Sequence, residues 1–170
     1  MIADMTDATV ADATMADATA ANSTTAHASA VLVGARAVLI RGPSGAGKSR
    51  LALDLIEAAQ AGALLFARLV ADDRVRLHSI GGRLLVRPAE ALAGLLEVHG
   101  AGVLRLAYEP IAVLGFVVDL AAEDAERLPE AEKRTTAIAG ISLPRLAVAA
   151  DTAPLPAVLA LIKSPRNAWI

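Results

Sequence analysis

Short apolar runs, separated by glycines and charged residues, form the dominant pattern along this chain of 170 residues. Runs of this length that are rich in Val, Ile and Leu and bounded by turn residues are typical of β-strands. The Gly81-Gly82 pair between two such runs predicts a hairpin. The predicted strands are Val31–Val33, Ala37–Ile40, Arg68–Ala71, Val75–Leu77, Arg83–Val86, Val103–Leu106, Ile111–Asp119 and Leu146–Ala149.

Helical periodicity is confined to a few segments. Apolar residues at helical spacing predict a helix from about Gly47 to Ala61, and Pro154 near a first turn predicts another that reaches Lys163. A short helix is predicted around Ala91–Leu95, and the charged segment Glu123–Lys133 is predicted to be a helix or a mobile loop. Since strands outnumber helices, the pattern predicts an α/β fold with a strand-rich, mixed central sheet and few helices.

The N-terminal segment 1–26 differs in composition from the rest of the chain. It repeats Asp-Ala-Thr at 7–9, 12–14 and 17–19, and it contains four aspartates and no lysine or arginine. Such a segment has little apolar surface to bury beyond alanine. We therefore predict a disordered tail over 1–26 and one folded domain over 27–170.

Composition excludes several classes of protein. The chain is 55% hydrophobic but only 2% aromatic, it carries a net charge of −2, and it lacks cysteine. Few aromatic residues and no basic excess argue against a nucleic-acid partner, and disulfides or thiolate metal sites are impossible. No signal peptide stands out, and the longest apolar stretch, 111–118, is too short to span a bilayer. The sequence predicts a cytoplasmic protein with no membrane partner.

Residues 42–49 match the phosphate-binding pattern G-x-x-x-x-G-K-[ST]. The segment follows an apolar run and opens a predicted helix, as a P-loop does. Its glycines let successive N–H groups point at phosphate oxygens, while Lys48 would reach the β- and γ-phosphates and Ser49 would contact Mg²⁺. A chance glycine-rich turn is the alternative. The predicted nucleotide-binding residues are Gly42, Pro43, Ser44, Gly45, Ala46, Gly47, Lys48 and Ser49.

Asp72 and Asp73 end an apolar run downstream of this loop. A carboxylate at the end of a strand commonly supports Mg²⁺ or positions a nucleophile in P-loop enzymes. One carboxylate can support the metal while its neighbour accepts a proton from an attacking hydroxyl. The alternative is a solvated turn. Three further features are each as consistent with a structural or surface role as with a functional one when taken alone. They are His27, the glycine-containing segment Glu97–Gly102 and Arg127.

Together, these segments resemble the catalytic domain of the HPr kinase/phosphorylase family, which are P-loop protein serine kinases of the sugar phosphotransferase system. The resemblance extends over roughly 27–150. It is carried, in order along the chain, by His27–Val33, Gly42–Ser49, Ala71–Val75, Glu97–Val103 and Glu126–Leu128.

The resemblance implies an ATP- and Mg²⁺-dependent kinase that phosphorylates a serine of HPr or an HPr-like carrier, in the regulation of carbohydrate or nitrogen metabolism. It implies that Lys48 binds phosphate and that Ser49 and Glu97 form the metal environment. It also implies a homo-oligomer, since the family is typically hexameric.

The resemblance also implies the catalytic roles. Asp73 would accept the proton of the target serine in the kinase direction and donate it in the reverse direction, with Asp72 in support. His27 would be a catalytic helper near the phosphate site, and Arg127 a mobile contact to the transferring group.

Two departures from the family pattern concern the reverse reaction. His99 stands where the family usually has arginine, and the region after Asp151 has no match to the family's Pro-x-Arg-x-Gly-Arg loop. These two departures argue against phosphorylase activity. An ATP-binding sensor without transfer activity and a P-loop kinase for a small metabolite are the alternative functions.

Overall fold

A computed structural model describes residues 23–164 of the chain. Over this range the elements are β1 (Ser23–His27), β2 (Ser29–Val33), β3 (Arg36–Arg41), α1 (Lys48–Gln60), β4 (Ala67–Ala71), β5 (Arg74–Ile80), β6 (Arg83–Pro88), β7 (Leu95–Val98), β8 (Gly102–Arg105), β9 (Ala112–Leu120), β10 (Thr135–Ile138), β11 (Ile141–Val148) and α2 (Pro154–Lys163).

A mixed sheet of nine strands organises the domain. Its main path runs β1-β5-β6-β9-β3-β2-β4, with β11 beside β9 and β10 beside β11. The pairings of β9 with β3 and with β11 are parallel, and the remaining pairings are antiparallel. β7 and β8 form a separate hairpin. The predicted strand-rich, mixed α/β sheet with few helices is confirmed.

Both faces of the central strands are buried. In β3, Val38 and Ile40 belong to the cluster that contains the helices, while Ala37 and Leu39 belong to a second cluster on the opposite face. Successive side chains of a strand point to opposite faces, so a strand covered on both sides must be apolar throughout. This explains the continuous apolar runs in the sequence.

The predicted helices agree with α1 and α2, and the predicted strands agree with β2–β6, β8, β9 and β11. Three strands were not predicted: β1, β7 and β10. β1 reads Ser-Thr-Thr-Ala-His and is mostly exposed at the edge of the sheet, so it has no apolar alternation to reveal it.

The helix predicted around Ala91–Leu95 is wrong. Only a 3₁₀ turn, Glu90–Leu92, forms there, and Leu95 already begins β7. The charged segment 123–133 is irregular until a 3₁₀ turn at Ala131–Arg134.

Residues 23–26, assigned above to the tail, belong to β1, and the rest of that predicted tail lies outside the described residues. Within 23–164, no helix is long and apolar enough to cross a membrane.

Candidate active site

Three segments that are distant in sequence meet at one edge of the sheet. β3 leads into the predicted P-loop, and β4 leads into Asp72 and Asp73. β2 lies between these two strands and is antiparallel to both. Its first residues therefore lie at the edge where β3 and β4 end. This arrangement brings His27 and Ser29 next to the phosphate-binding loop and the acidic pair.

The loop after β3 requires glycine where its backbone touches β9. Gly42 has φ +147°, and a Cβ atom at this position would lie 2.8 Å from the carbonyl oxygen of Leu120. Gly47, with φ +89°, turns the chain into α1, whose first turn carries no acidic side chain. No side chain caps this end of α1, and Gly47, Lys48 and Ser49 line a cleft. The positive end of the helix dipole therefore lies at the cleft, as an anion site requires.

Lys48 is almost completely buried, with 8% of its surface exposed. Its Nζ donates hydrogen bonds to the carbonyl oxygens of Gly42 and Pro43, both at 3.0 Å. These two bonds hold the ammonium group over the loop whose N–H groups would receive phosphates. The group can exchange a carbonyl partner for a phosphate oxygen because both are acceptors.

Asp72 joins all three segments. Its carboxylate is buried and accepts hydrogen bonds from Ser29 Oγ at 2.5 Å, from Ser49 Oγ at 2.9 and 3.0 Å, and from the Glu97 backbone N–H at 3.1 Å. A buried carboxylate is costly unless such donors compensate it. Asp72 therefore fixes the Ser49 hydroxyl and the Glu97 backbone, near the turn of the β7–β8 hairpin, relative to β2.

Asp73 has a different environment from its neighbour. It is a non-glycine residue in the left-handed region, with φ +64°, a conformation that Asp tolerates better than most residues. Its carboxylate lies 2.9 Å from His27 Nδ1, and both side chains are more than half exposed. The buried Asp72 is occupied by protein donors, whereas the exposed Asp73 can meet a molecule that enters from solvent.

These residues line one cleft of about 490 Å³. The cleft brings together most of the residues that the sequence analysis assigned to a site, but Arg127 is not in its lining. Arg127 is exposed in the segment that follows β9. The lining residues are His27, Ser44, Gly45, Gly47, Lys48, Ser49, Arg50, Asp72, Asp73, Glu97 and His99.

The donor chemistry of this cleft fits Mg²⁺. The Ser49 hydroxyl and Asp72 carboxylate form one oxygen-rich corner, and Glu97 lines the same space. No group of three or more His, Asp or Glu side chains in the described part of the chain is arranged to hold a metal by itself. Mg²⁺ commonly uses only one or two carboxylates and takes its other ligands from phosphates and water.

Sequence reasoning missed Ser29. It is completely buried, and its hydroxyl is one of the donors to Asp72. The available signal was a lone hydroxyl in an otherwise apolar strand, because a buried polar side chain needs a partner.

A charged network behind the P-loop was also missed. Arg41, which precedes Gly42, makes two hydrogen bonds to Asp119 at 2.7 and 2.8 Å, and Arg145 binds the same carboxylate at 2.5 Å. Burial alone would raise the pKa of Asp119, but the hydrogen bonds from the two guanidinium groups outweigh it and lower that pKa. The network ties the ends of β3 and β9 to the interior of β11, and it supports the loop that follows β3.

A family model described as the HPr Serine kinase C-terminal domain matches residues 18–159. The chain belongs to this family. The match includes every segment that contributes to the cleft.

Curated relatives match a shorter part of this HPr kinase C-terminal domain. The HPr kinase/phosphorylase of Streptococcus thermophilus is 46% identical over 68 residues, and that of Clostridium beijerinckii is 42% identical over 67 residues. Each alignment covers 39% of this chain and 20% of the relative. The aligned part of the chain thus spans about a fifth of the length of these relatives.

The fold also resembles a solved structure, that of the Hpr(Ser) kinase/phosphatase from Coxiella burnetii. The TM-score is 0.68 at 22% sequence identity, with 84% of this chain and 90% of that chain covered. This similarity supports the mixed-sheet architecture of the domain.

Proposed function

We propose that this domain transfers the γ-phosphoryl group of ATP to a serine hydroxyl of HPr or an HPr-like carrier protein. Membership of the HPr Serine kinase family supports this reaction, as do the names of the relatives. The observation that carries it is the position of Asp73. This exposed carboxylate shares one cleft with Lys48 and Ser49 of the P-loop.

ATP would bind with its phosphates against the loop 42–49 and the first turn of α1. Lys48 would move from the Gly42 and Pro43 carbonyls to the β- and γ-phosphate oxygens, which neutralises charge without bringing a new group into the cleft. Ser49 and Glu97 would hold Mg²⁺, which when bound draws negative charge from the transferring phosphoryl group.

The serine hydroxyl of the carrier would attack the γ-phosphorus atom opposite the oxygen that bridges to the β-phosphate. The new bond joins the serine oxygen to phosphorus, the bridging bond breaks, and ADP leaves with that oxygen. Asp73 would take the hydroxyl proton, and the adjacent His27 would hold the Asp73 carboxylate toward the acceptor. Asp72 is enclosed by protein donors, so its proposed role is to position Ser49.

Replacing Asp73 tests this assignment. Asp73→Asn retains the shape of the side chain but cannot accept the proton, and a general base contributes about 10²–10⁴-fold to rate. We expect kcat for labelled-ATP transfer to HPr to fall at least about 100-fold while ATP affinity changes less than about twofold. Asp151→Asn, in an exposed turn, is the matched control. Full activity in Asp73→Asn would show that Asp73 is not the base.

His99 supports one alternative function. It lines the cleft at a position where the HPr kinase family usually has arginine. Unlike a guanidinium group, an imidazole is not permanently charged and cannot donate two parallel hydrogen bonds. A domain that binds ATP but cannot stabilise the transferring group would be a sensor. Tight ATP binding without labelling of any HPr carrier would favour this alternative, and His99→Arg would then be expected to restore transfer.

The cellular role is proposed on the same grounds. We propose a cytoplasmic homo-oligomer, hexameric as the resemblance implies, that regulates carbohydrate or nitrogen metabolism by modifying its carrier. Sedimentation velocity on the whole chain tests the assembly, and a monomer at micromolar concentration would contradict it.

A further inference from the structure

One outward face of the sheet carries an unusual concentration of arginine. β1, β5 and β6 pair in this order, and Arg74, Arg76, Arg83 and Arg87 all project from β5 and β6 as exposed side chains. The alternate residues of β5 and β6, such as Val75 and Val86, are buried on the opposite face. The four arginines therefore share one solvent face, which we name the arginine face.

The arginine face is not explained by stability of the fold. Arg76 lies directly opposite Arg87 in the antiparallel register, and like charges in directly opposed positions destabilise a sheet. β1, β5 and β6 contain no Asp or Glu, and no ion pair to these four side chains occurs among residues 23–164. Uncompensated positive charge in a chain of net charge −2 indicates a surface that meets negative charge.

The arginine face begins at the candidate active site. Arg74 follows Asp73 in the chain and lies opposite His27, which is itself paired with Asp73. At a rise of about 3.3 Å per residue, Arg76 lies roughly 10 Å from Asp73 and the face extends over roughly 20 Å. A partner bound along β5 would thus present its nearest residues to the exposed carboxylate.

We propose that the arginine face is the docking surface for an acidic protein whose acceptor hydroxyl reaches Asp73. This inference rests on the proposed function for the identity of the group that is delivered. A protein is favoured over nucleic acid because β1, β5 and β6 contain no Phe, Tyr or Trp side chain for base stacking.

Charge reversal tests the surface without relying on catalysis. Binding of a fluorescent glutamate-rich peptide that contains a single serine is measured by anisotropy at low and high salt. We expect Arg76→Glu and Arg87→Glu each to weaken binding about tenfold at low salt, and salt to reduce the difference. Arg36→Glu is the control, because Arg36 lies at the opposite end of β3 from the P-loop and has no ion pair within the described residues.

Thermal unfolding and steady-state kinetics complete the experiment. Arg76→Glu should not lower Tm, because it replaces a like-charged cross-strand pair by an opposite one. With HPr as substrate, both reversals should raise KM for the carrier about tenfold and leave kcat and ATP affinity within about twofold. A change that falls mainly on kcat would overturn the docking role.

Two further results would overturn the proposal. One is equal weakening of peptide binding by Arg36→Glu, and the other is tighter, Arg76-dependent binding of a single-stranded oligonucleotide of the same charge. If the proposed kinase function is wrong but the docking surface is real, the result differs from either of these. Peptide binding would still depend on Arg76 and Arg87, while no carrier would be phosphorylated.

Discussion

Removing the Ser29 hydroxyl is the sharpest test of how the candidate site is held together. Ser29 is completely buried and donates to the Asp72 carboxylate at 2.5 Å. A hydrogen bond to a charged acceptor contributes about 1.5–3 kcal/mol, so Ser29→Ala should lower the free energy of unfolding by about 2 kcal/mol. In a domain of this size, each 1 kcal/mol shifts Tm by about 2–4 °C, which predicts a fall of about 4–8 °C.

Urea unfolding followed by circular dichroism measures this difference. Ser142→Ala is the matched control, since Ser142 is also in a strand but is exposed, and its replacement should change stability by less than about 0.5 kcal/mol. If Ser29→Ala and Ser142→Ala unfold at the same urea concentration, the Ser29–Asp72 bond contributes nothing and the reasoning fails.

The same variant separates positioning from general stability. Ser29 does not line the cleft, so it can affect phosphoryl transfer only through Asp72. Asp72 in turn accepts a hydrogen bond from the hydroxyl of Ser49. We expect the Mg²⁺ concentration that gives half-maximal transfer to rise several-fold in Ser29→Ala, below the Tm of the variant. An unchanged Mg²⁺ dependence would limit Ser29 to a structural role.

Three further predictions concern the loop and its support. Gly42→Ala should lower the free energy of unfolding by about 2 kcal/mol or more, and Gly45→Ala by only about 1 kcal/mol, as measured by thermal unfolding. Both glycines have positive φ, but only Gly42 faces a carbonyl oxygen, that of Leu120, so equal losses would contradict this reasoning. Because the pKa of Asp119 is lowered in the folded state, the ionised carboxylate stabilises the fold at pH values above the ordinary aspartate pKa of about 4. This stabilisation is lost as the pH falls through the folded-state pKa. Asp119→Asn should therefore reduce the pH dependence of the free energy of unfolding below about pH 5, and parallel stability-versus-pH curves for the variant and the wild type would refute this. Lys48→Met should weaken ATP binding at least about tenfold by calorimetry, and unchanged affinity would exclude the phosphate role.

Much of the fold is encoded in patterns that a sequence shows directly. The strands β3 and β9 are buried on both faces, so their apolar runs are unambiguous, and α1 has clear helical spacing after the P-loop. β7 and β10 are four residues long and only partly buried, so their patterns are too short to distinguish a strand from a turn. Strand order is not encoded locally, because it depends on which buried faces pack together.

The candidate site was predictable to the extent that it consists of motifs. The loop can be found by its glycine pattern, and the Asp72-Asp73 pair by its place at the end of an apolar run. Glu97 was assigned only through the resemblance to the family, and the structure places all of these residues around one cleft. The division between a buried and an exposed aspartate cannot be found this way, since both follow the same strand. The role of Arg127 stays a prediction, because its exposed segment does not contribute to the cleft lining.

An irregularity in the sheet determines which of the two aspartates is buried. Between β2 and β4, Val31 pairs with Leu69, but the next residue, Ala30, pairs with Ala71. Val70 is therefore an extra residue, as in a β-bulge, and it packs into the same cluster as Ala71 rather than alternating with it. Nothing in a Leu-Val-Ala run signals a bulge, since all three residues fit a regular buried strand.

The consequence of the bulge reaches the chemistry. If the register after the bulge continues, Asp72 lies opposite Ser29, in agreement with the hydrogen bond of 2.5 Å between them. Without the extra residue, Ala71 would lie opposite Ser29, and its hydroxyl would face a methyl group. The burial of the Ser29–Asp72 pair thus depends on one unpaired residue in β4, and so does the exposure of Asp73. The arrangement of the site therefore follows from the pairing of strands in the folded protein and not from the sequence motif.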